Sequence, residues 1–430
     1  MNNQFDQIYI PWIGLIPENW SLVRFKDKYQ NKKEIAKNNS VSFERLALTL
    51  NGVIKRSKDD SDGLQPKEFD SYQIIRSNDF VFKMIDLQNI STSRLGLSPF
   101  TGLVSPAYIR FSPRTKDSPK FAYFFLMSMY FNNVFNSLGG DGVRSSLSAT
   151  DLGNLYIPWP NEKTREKIIF VLESKSKIID SLINIQEKQI ENLKAYRNRI
   201  INEAVTKGIR KQKKLNFSGN VFVGLIPENW SCKQFKYIAS SIQKGSGITK
   251  EELVEDGDTF CVRYGEIYSK YQTSFYTCFS KTNAAQINSK QYFSYGDVLF
   301  AGTGELVEEI GKSIVYLGKN KCLAGGDIIL AKHDQSPLFM GFALDSLYCQ
   351  KQKSIGKAKL KVVHISANDI GNIYFALPPI SEQKEIEIYL ERKNKAIQRI
   401  IEIKKNKIEL LKKYKVSLFY ELTTGKKEVN

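Results

Sequence analysis

The sequence predicts an α+β protein with two α/β-type domains, separated by an antiparallel coiled coil of two long helices and related by a pseudo-two-fold internal repeat. Three observations predict this fold. Motifs of the first half recur in the second half, short strand-like runs broken by Gly, Pro and Asn fill both halves, and two long stretches lack Pro and Gly. A chain of 430 residues is also long enough for two domains.

The repeat is visible as identical motifs at a fixed separation. The heptapeptide GLIPENW occurs at 14–20 and again at 224–230, a separation of 210 residues. Farther along, the separation becomes 218 residues, so that SATDLGN at 148–154 matches SANDIGN at 366–372. Because the register is shared over so many positions, we interpret the chain as one module used twice.

Each copy has the same internal order: a mixed segment with β-branched and aromatic runs, a proline-containing joint, and a long stretch free of Pro and Gly. The joints are IPWP at 157–160 and LPP at 377–379. The predicted boundaries are 1–160 for the first domain, 161–208 for the first helix, 209–223 for a basic linker, 224–380 for the second domain, 381–425 for the second helix and 426–430 for a tail.

The two Pro- and Gly-free stretches predict helices of about 43 residues, or roughly 65 Å each at the rise of an α-helix. Both carry apolar residues at heptad spacing, which predicts a partner helix. A polar residue, Gln186 or Lys404, sits in the middle of each seam and is expected to fix its register. The predicted packing residues are Leu172, Ile179, Ile183, Gln186, Ile190, Leu193, Leu390, Ile397, Ile401, Lys404, Ile408 and Leu411.

The direction of the second helix follows from the length of the linker. Its roughly 15 residues reach at most about 50 Å when fully extended, less than the length of the first helix. The second domain must therefore begin near the far end of the first helix, so the second helix runs back along it. This predicts an antiparallel pair.

Composition narrows the class of partner and the compartment. The net charge of +18 favours a polyanion, because neutralised phosphates release counterions. The five cysteines never form a C-x-x-C pair, so a disulfide framework or zinc site is not expected. The N-terminus lacks the pattern of a signal peptide, and no apolar stretch is long enough to span a membrane. We therefore expect a cytoplasmic protein.

The sequence indicates no catalytic or metal site. The run FAGTG at 300–304 resembles a methyltransferase cofactor loop, but the first copy lacks its glycines and no N-P-P-Y or D-P-P-Y tetrapeptide occurs. Only two histidines are present, too few for a histidine-ligated metal. His364, in a strand-like VVHIS run, is interpreted as a core histidine.

Taken together, these motifs resemble the specificity subunit of type I restriction–modification systems. The matching segments are GLIPENW at the start of each half, GDVLFAGTGE at 296–305, SLSATDLGNLYIPWP at 146–160, HISANDIGNIYFALPPISEQKEI at 364–386, and EAVTKG at 203–208 echoed by ELTTGK at 421–426. The first joint departs from the family pattern, because NEKTREKI stands where a Glu-Gln pair such as Glu382-Gln383 is usual.

The resemblance implies a non-catalytic subunit that reads a bipartite, asymmetric double-stranded DNA target. Each domain would be a target recognition domain, and the helices would set the spacing and bind two modification subunits. The resemblance implies no cofactor on this chain: the partner subunits would use S-adenosylmethionine, and the restriction subunits ATP and Mg. Two alternatives are a self-contained DNA methyltransferase and a coiled-coil nucleic-acid-binding scaffold.

Base-reading residues are hardly visible in the sequence, so the candidates come from side-chain chemistry and position. Arginine is the commonest specific contact to guanine, and lysine and hydroxyl groups also contact DNA. The candidate DNA-binding residues are Arg144, Lys83, Arg94, Arg263, Tyr264, Thr303, Lys357, Lys359 and Lys361.

Overall fold

In the computed structural model the chain divides into two compact units. The first unit is Met1–Gln186 with Lys405–Asn430, and the second is Glu187–Lys404. The structure describes residues 10–50, 52–59, 68–87, 94–138, 146–210, 214–304, 307–357 and 363–429. Each unit contains an α/β part and a portion of both long helices.

The first unit contains two four-stranded sheets, with strand orders β2-β9-β6-β7 and β4-β3-β8-β5, and the pair β1-β10. Its strands are β1 Ser21–Arg24, β2 Tyr29–Asn31, β3 Arg45–Thr49, β4 Gly52–Arg56, β5 Gln73–Ile75, β6 Phe80–Lys83, β7 Arg94–Leu97, β8 Gly102–Val104, β9 Ile109–Pro113 and β10 Tyr156–Trp159. Its short helices are α1 Phe25–Lys28, α2 Lys120–Phe131, α3 Val134–Leu138 and α4 Ala149–Asn154. Aromatic residues of α1, β6 and α2 fill its main core.

The second unit follows the same plan with additions. Its sheets have the orders β14-β23-β19-β21-β16 and β17-β15-β22-β18, and β11-β12, β13-β25 and β20-β24 form pairs. Its strands are β11 Leu215–Phe217, β12 Leu225–Pro227, β13 Ser231–Gln234, β14 Ala239–Lys244, β15 Thr259–Val262, β16 Ser274–Phe275, β17 Ser280–Thr282, β18 Tyr292–Phe293, β19 Val298–Ala301, β20 Thr303–Gly304, β21 Ser313–Tyr316, β22 Cys322–Ala324, β23 Ile328–His333, β24 Val363–His364 and β25 Tyr374–Leu377. Its short helices are α6 Tyr264–Ser269, α7 Pro337–Leu344, α8 Leu347–Lys353 and α9 Ala367–Gly371. Strand β11 lies within the stretch predicted as a linker.

Contacts that hold the scaffold together are duplicated between the units. Lys26 Nζ donates to Asn154 Oδ1 at 2.8 Å, and the repeat-related Lys236 Nζ donates to Asn372 Oδ1 at 3.0 Å. In each unit this bond connects the first helical turn, α1 or Phe235–Tyr237, with the end of the helix that precedes the joint, α4 or α9. The repeat read from the sequence is therefore a repeat of tertiary contacts.

Helices α4 and α9 start with the same capping box. Ser148 accepts a hydrogen bond from the backbone of Asp151, whose carboxylate accepts from the backbone of Ser148 in return. Ser366 and Asp369 make the same reciprocal pair. The S-A-x-D spelling of the repeat is thus explained by orphan amide groups at two helix N-termini.

The long helices are α5 Glu162–Lys207 and α10 Ile380–Thr423. In the second unit Arg197 Nε donates to Asn394 Oδ1 at 2.5 Å, and Lys404 Nζ to Gln189 Oε1 at 2.5 Å. As the residue number increases along α5, the residue number of its contact on α10 decreases, so the two helices are antiparallel in this unit.

All twelve predicted packing residues are buried or half-buried. The buried ones are Leu172, Ile179, Gln186, Ile190, Leu390, Ile397, Ile401 and Ile408, and the half-buried ones are Ile183, Leu193, Lys404 and Leu411. The predicted fold class, two α/β parts with two long helices, is confirmed. Among the described residues, none of the helices combines the length and the apolar character that a membrane span requires.

The structure of the proline-containing joint explains why the first copy has no Glu-Gln pair like Glu382-Gln383. Gln383 is buried and donates from Nε2 to the carbonyl of Pro378 at 2.9 Å. At the repeat-related position Arg165 donates from Nη1 to the carbonyl of Pro160 at 2.7 Å, and its guanidinium stacks over the Trp159 ring. Two different side chains thus satisfy the same proline carbonyl where the long helix begins.

Candidate nucleic-acid interface

Two candidate cations of the first unit lie side by side. Lys83 ends β6 and is paired across the ladder with Arg94, the first residue of β7. Burial, and then the charge of Arg94, lower the pKa of Lys83. Like charges on directly opposed strand positions repel each other, and the charge of Asp86 offsets part of this effect on Lys83. Arg94 lies at the start of its strand, directly after the undescribed residues 88–93.

Three candidate residues fall on parts of the chain that are not described. Arg144, Lys359 and Lys361 lie outside the described residues. The segment 139–145 is followed by Ser146, which forms an isolated bridge with Ile85, close to Lys83.

In the second unit the structure brings Thr303 and Lys357 together around His364. Strands β20 and β24 pair Thr303 with His364, and Thr303 Oγ1 lies 3.1 Å from His364 Nδ1. Lys357 Nζ donates to the carbonyl of His364 at 2.7 Å and lies 3.4 Å from Asp369 Oδ2. The interpretation of His364 as a core histidine was wrong: it stands on a two-stranded ladder with its side chain exposed.

Helix α6 brings the remaining candidates to the same ladder. Arg263 caps the helix, Tyr264 is its first residue, and both are half-buried. One turn on, Tyr268 donates from its hydroxyl to the carbonyl of Thr303 at 3.0 Å. Burial raises the pKa of Tyr268 to about 12, so this hydroxyl stays a donor at neutral pH. The candidates Arg263, Tyr264, Thr303 and Lys357 therefore belong to one connected region.

The glycines of the cofactor-like loop have a packing role. A side chain on Gly302 would place its Cβ 2.8 Å from the carbonyl oxygen of Asp327, and the Gly302 amide donates to that oxygen at 2.6 Å. A Cβ on Gly304 would lie 3.0 Å from the Tyr268 hydroxyl. The close approach that these glycines permit is to the protein itself. Among the described residues, no group of three or more His, Cys, Asp or Glu side chains is placed to hold a metal ion.

The first unit also has a basic groove that was not predicted from the sequence. It has a volume of about 520 Å³ and lies along strands β3 and β4. The lining residues are Val41, Ser42, Phe43, Glu44, Arg45, Lys55, Arg56, Ser57 and Lys58. The basic run at 55–58 was a signal in the sequence, but Arg45 joins it only through strand pairing.

The fold and these surfaces define a class: a protein with two diverged α/β units on a repeated scaffold, joined to two long heptad helices. Comparisons with known proteins narrow the class. The chain is 24% identical to the type I restriction enzyme MjaVIII specificity subunit of Methanocaldococcus jannaschii, over 96% of this chain and 93% of that protein. It is 25% identical to a chain named as the MjaX specificity subunit of the same organism, over 96% and 95%.

A solved chain has the same fold. It comes from work on complex assembly and conformational transition of the type I restriction–modification system, and it matches with a TM-score of 0.68 at 14% identity. The match covers 95% of this chain and 98% of that one. No protein-family model matches the sequence. The chain is thus related along nearly its whole length to type I specificity subunits, and the resemblance seen in its motifs is confirmed.

Proposed function

We propose that this chain is the DNA-recognition subunit of a type I restriction–modification complex and that each unit reads one half of a bipartite target. The observation that carries the proposal is the contrast between scaffold and surface. The bonds from Lys26 to Asn154 and from Lys236 to Asn372 are the same, whereas the residues around the candidate interfaces differ. Two diverged readers on one repeated scaffold favour a target with two unlike halves.

The difference between the surfaces is large where β3 and β15 end. In the first unit, β3 and β4 form a tight hairpin that pairs Thr49 with Gly52. In the second unit, the equivalent strands β15 and β17 are separated by helix α6 and strand β16. The added helix carries Tyr264 and contacts Thr303, so it changes the chemistry of the surface, and the added strand β16 extends the underlying sheet beside β21.

The proposed subunit is non-catalytic and binds no cofactor. The glycines that suggested a cofactor loop contact the Asp327 carbonyl and the Tyr268 hydroxyl, which supports this part of the proposal. Methyl transfer from S-adenosylmethionine, and ATP- and Mg-dependent restriction, would be performed by partner subunits.

Exposed apolar side chains on the long helices support two equivalent sites for modification subunits. In the first unit Phe170 and Ile185 of α5 are exposed, and in the second unit the repeat-related Ile388 and Ile403 of α10 are exposed as well. Tyr196 and Tyr414, also related by the repeat, are both exposed. Large apolar groups repeated at matching positions favour one kind of partner bound twice.

The docking sites can be tested separately. Ile185→Glu and Ile403→Glu each place a charge on one of them, so each variant should retain one modification subunit, and the double variant none. Native mass spectrometry of the co-expressed complex gives the stoichiometry. The control is Asn192→Glu, which places a charge at an exposed position of α5. Two copies retained by both single variants would contradict this assignment.

The recognition function is tested by co-expressing the chain with type I modification subunits from the same source and mapping methylated adenines across the host genome. The expected result is a single gapped, asymmetric motif. Calorimetric titration of the chain alone with S-adenosylmethionine should show no binding. Tight binding there would favour a self-contained methyltransferase, and a lack of preference for any duplex sequence would favour a coiled-coil scaffold.

A further inference from the structure

The basic groove of the first unit has an arginine at its base. Arg45, on β3, is only 7% exposed and lines the groove. Among the described residues, its guanidinium makes one side-chain hydrogen bond, from Nη1 to the carbonyl of Ser57 at 3.3 Å, lies 6.0 Å from the centre of the Phe69 ring, and makes no ion pair. A guanidinium has five N–H donors, and burying it without a carboxylate is costly. Arg45 is therefore short of an anion.

The walls of the groove add further positive charge. Lys55, Arg56 and Lys58 line it together with a single acidic residue, Glu44. Lys55 Nζ pairs with Glu44 at 2.6 Å, and Lys58 Nζ donates to the carbonyl of Ser40 at 2.8 Å. The described lining of the groove is therefore mainly basic, with one carboxylate among four cationic side chains.

We propose that this groove binds the phosphodiester backbone of the target DNA, with Arg45 and the lysines contacting phosphate oxygens. The inference rests on the proposed function and adds a location for backbone binding. The lining set includes no Asn or Gln, the residues that pair with adenine. Lysine, arginine and serine are donors typical of phosphate contacts, which position a protein on DNA without reading its sequence.

The described part of the second unit has no buried arginine at the position that corresponds to Arg45. In the parallel pairing of β3 with β8, Arg45 lies opposite Leu103, whereas in the equivalent pairing of β15 with β22 the residue opposite Leu323 is Cys261. A buried thiol replaces the buried guanidinium. The groove should therefore contact the backbone at only one half of the target.

The test uses the full chain assembled with its modification subunits, and the variant Lys55→Gln/Lys58→Gln, which leaves buried Arg45 in place. Affinity for the gapped target and for non-specific duplex is measured across a range of salt concentrations. Each lost phosphate contact should weaken binding about fivefold at 0.15 M salt and reduce the slope of log K against log salt by about 0.9. For the pair this is a loss of about 30-fold, equal on both duplexes.

The matched control is Lys32→Gln/Lys33→Gln, which removes the same charge from exposed positions of the same unit outside the groove. Arg45→Lys, checked for folding by thermal melting, tests the buried position. In hydroxyl-radical footprinting, the groove variants should lose protection of the DNA at one half of the target only.

Failure of the wild-type complex to prefer the gapped target would overturn the proposed function. A wild-type preference with groove variants that match the control would overturn the groove assignment. Changed base preference with an unchanged salt slope would overturn its assignment to phosphate.

Discussion

The two units differ in where they bury charge. The first unit has a buried ion pair at the sheet β2-β9-β6-β7, in which Arg110 Nε donates to Asp79 Oδ2 at 2.6 Å. The second unit has Leu330 at the position of Arg110, by the matching registers of β6 with β9 and of β19 with β23. Its buried cation is Lys353, at the end of α8, and Asp345, whose Oδ1 atom is buried, follows α7. The first unit has Met127 and Phe135 at those two positions, and both belong to its main hydrophobic core.

This exchange shows how one scaffold accommodates two different interiors. Lys353 Nζ donates to the carbonyls of Gly311 and Leu344 at 2.7 Å each, so its hydrogen bonds are local to the second unit. Burial raises the pKa of Asp345, and the nearby charge of Lys353 opposes that shift. A buried charge is tolerated only with its own compensating set. Repeat-related positions are therefore not interchangeable one at a time.

The largest effect is expected from Lys353→Met, which removes a buried cation and the donor of two buried carbonyls, those of Gly311 and Leu344. The variant should lose about 3–5 kcal/mol of unfolding free energy, because both carbonyls lose their partner and Asp345 loses one of its nearby cations. Urea unfolding followed by circular dichroism measures the loss. Asp345→Met in the same chain imports the apolar residue of the first unit and should restore part of the stability. A double variant whose loss equals the sum of the two single losses would argue against coupling.

A smaller effect is expected from neutralising the two repeat-related aspartates, Asp79 and Asp297, and it should differ between the two units. Asp79 accepts from the Arg76 amide at 2.7 Å, and Asp297 from the Ser294 amide at 2.8 Å, so asparagine can keep both turns. Asp79→Asn should cost about 1.5–3 kcal/mol, because it weakens a buried charge-assisted bond to Arg110.

The matched Asp297→Asn should change the unfolding free energy by less than about 0.5 kcal/mol or stabilise the protein. Among the described residues Asp297 has no ion pair, and its burial raises its pKa. The same urea titrations compare the two variants. Equal losses from both would contradict the view that the first unit alone depends on this carboxylate charge.

The smallest effect concerns pH and again distinguishes the first unit. The hydrogen bond from Arg76, with that from Arg110, outweighs burial and holds the pKa of Glu34 at about 2. Because this pKa is below its value of about 4.5 in the unfolded chain, the ionised form stabilises the fold above pH 4.5. That contribution is lost as the pH falls from about 4.5 to 2.

The difference in unfolding free energy between wild type and Glu34→Gln should therefore shrink over this range, by about 1 kcal/mol for a partly exposed group. Exposed Glu255→Gln in the second unit is the control and should show no such trend. A difference that stays constant down to pH 2 would show that the ion pairs of Glu34 add no stability.

The sequence alone was sufficient for the repeat, the joints and the long helices. Their signals are local: GLIPENW at both starts, heptad positions such as Leu172 and Leu390, and Gly208 and Gly425 just beyond the helix ends, where their φ values are +78° and +72°. Strands were also predictable from β-branched and aromatic residues, such as YQII at 72–75, which contains β5, and IIL at 328–330, which begins β23.

Only the tertiary structure decided which polar side chains meet. The sequence suggested that His364 was a core residue, but β20 and β24 bring it beside Thr303 across 61 residues. Arg45 gained its basic neighbours through the β3–β4 ladder, and Asp79 gained Arg110 through sheet pairing 31 residues away. Heptads and caps follow from neighbours within a few turns of the chain, whereas charge compensation depends on strand register, which is set by packing across the whole sheet.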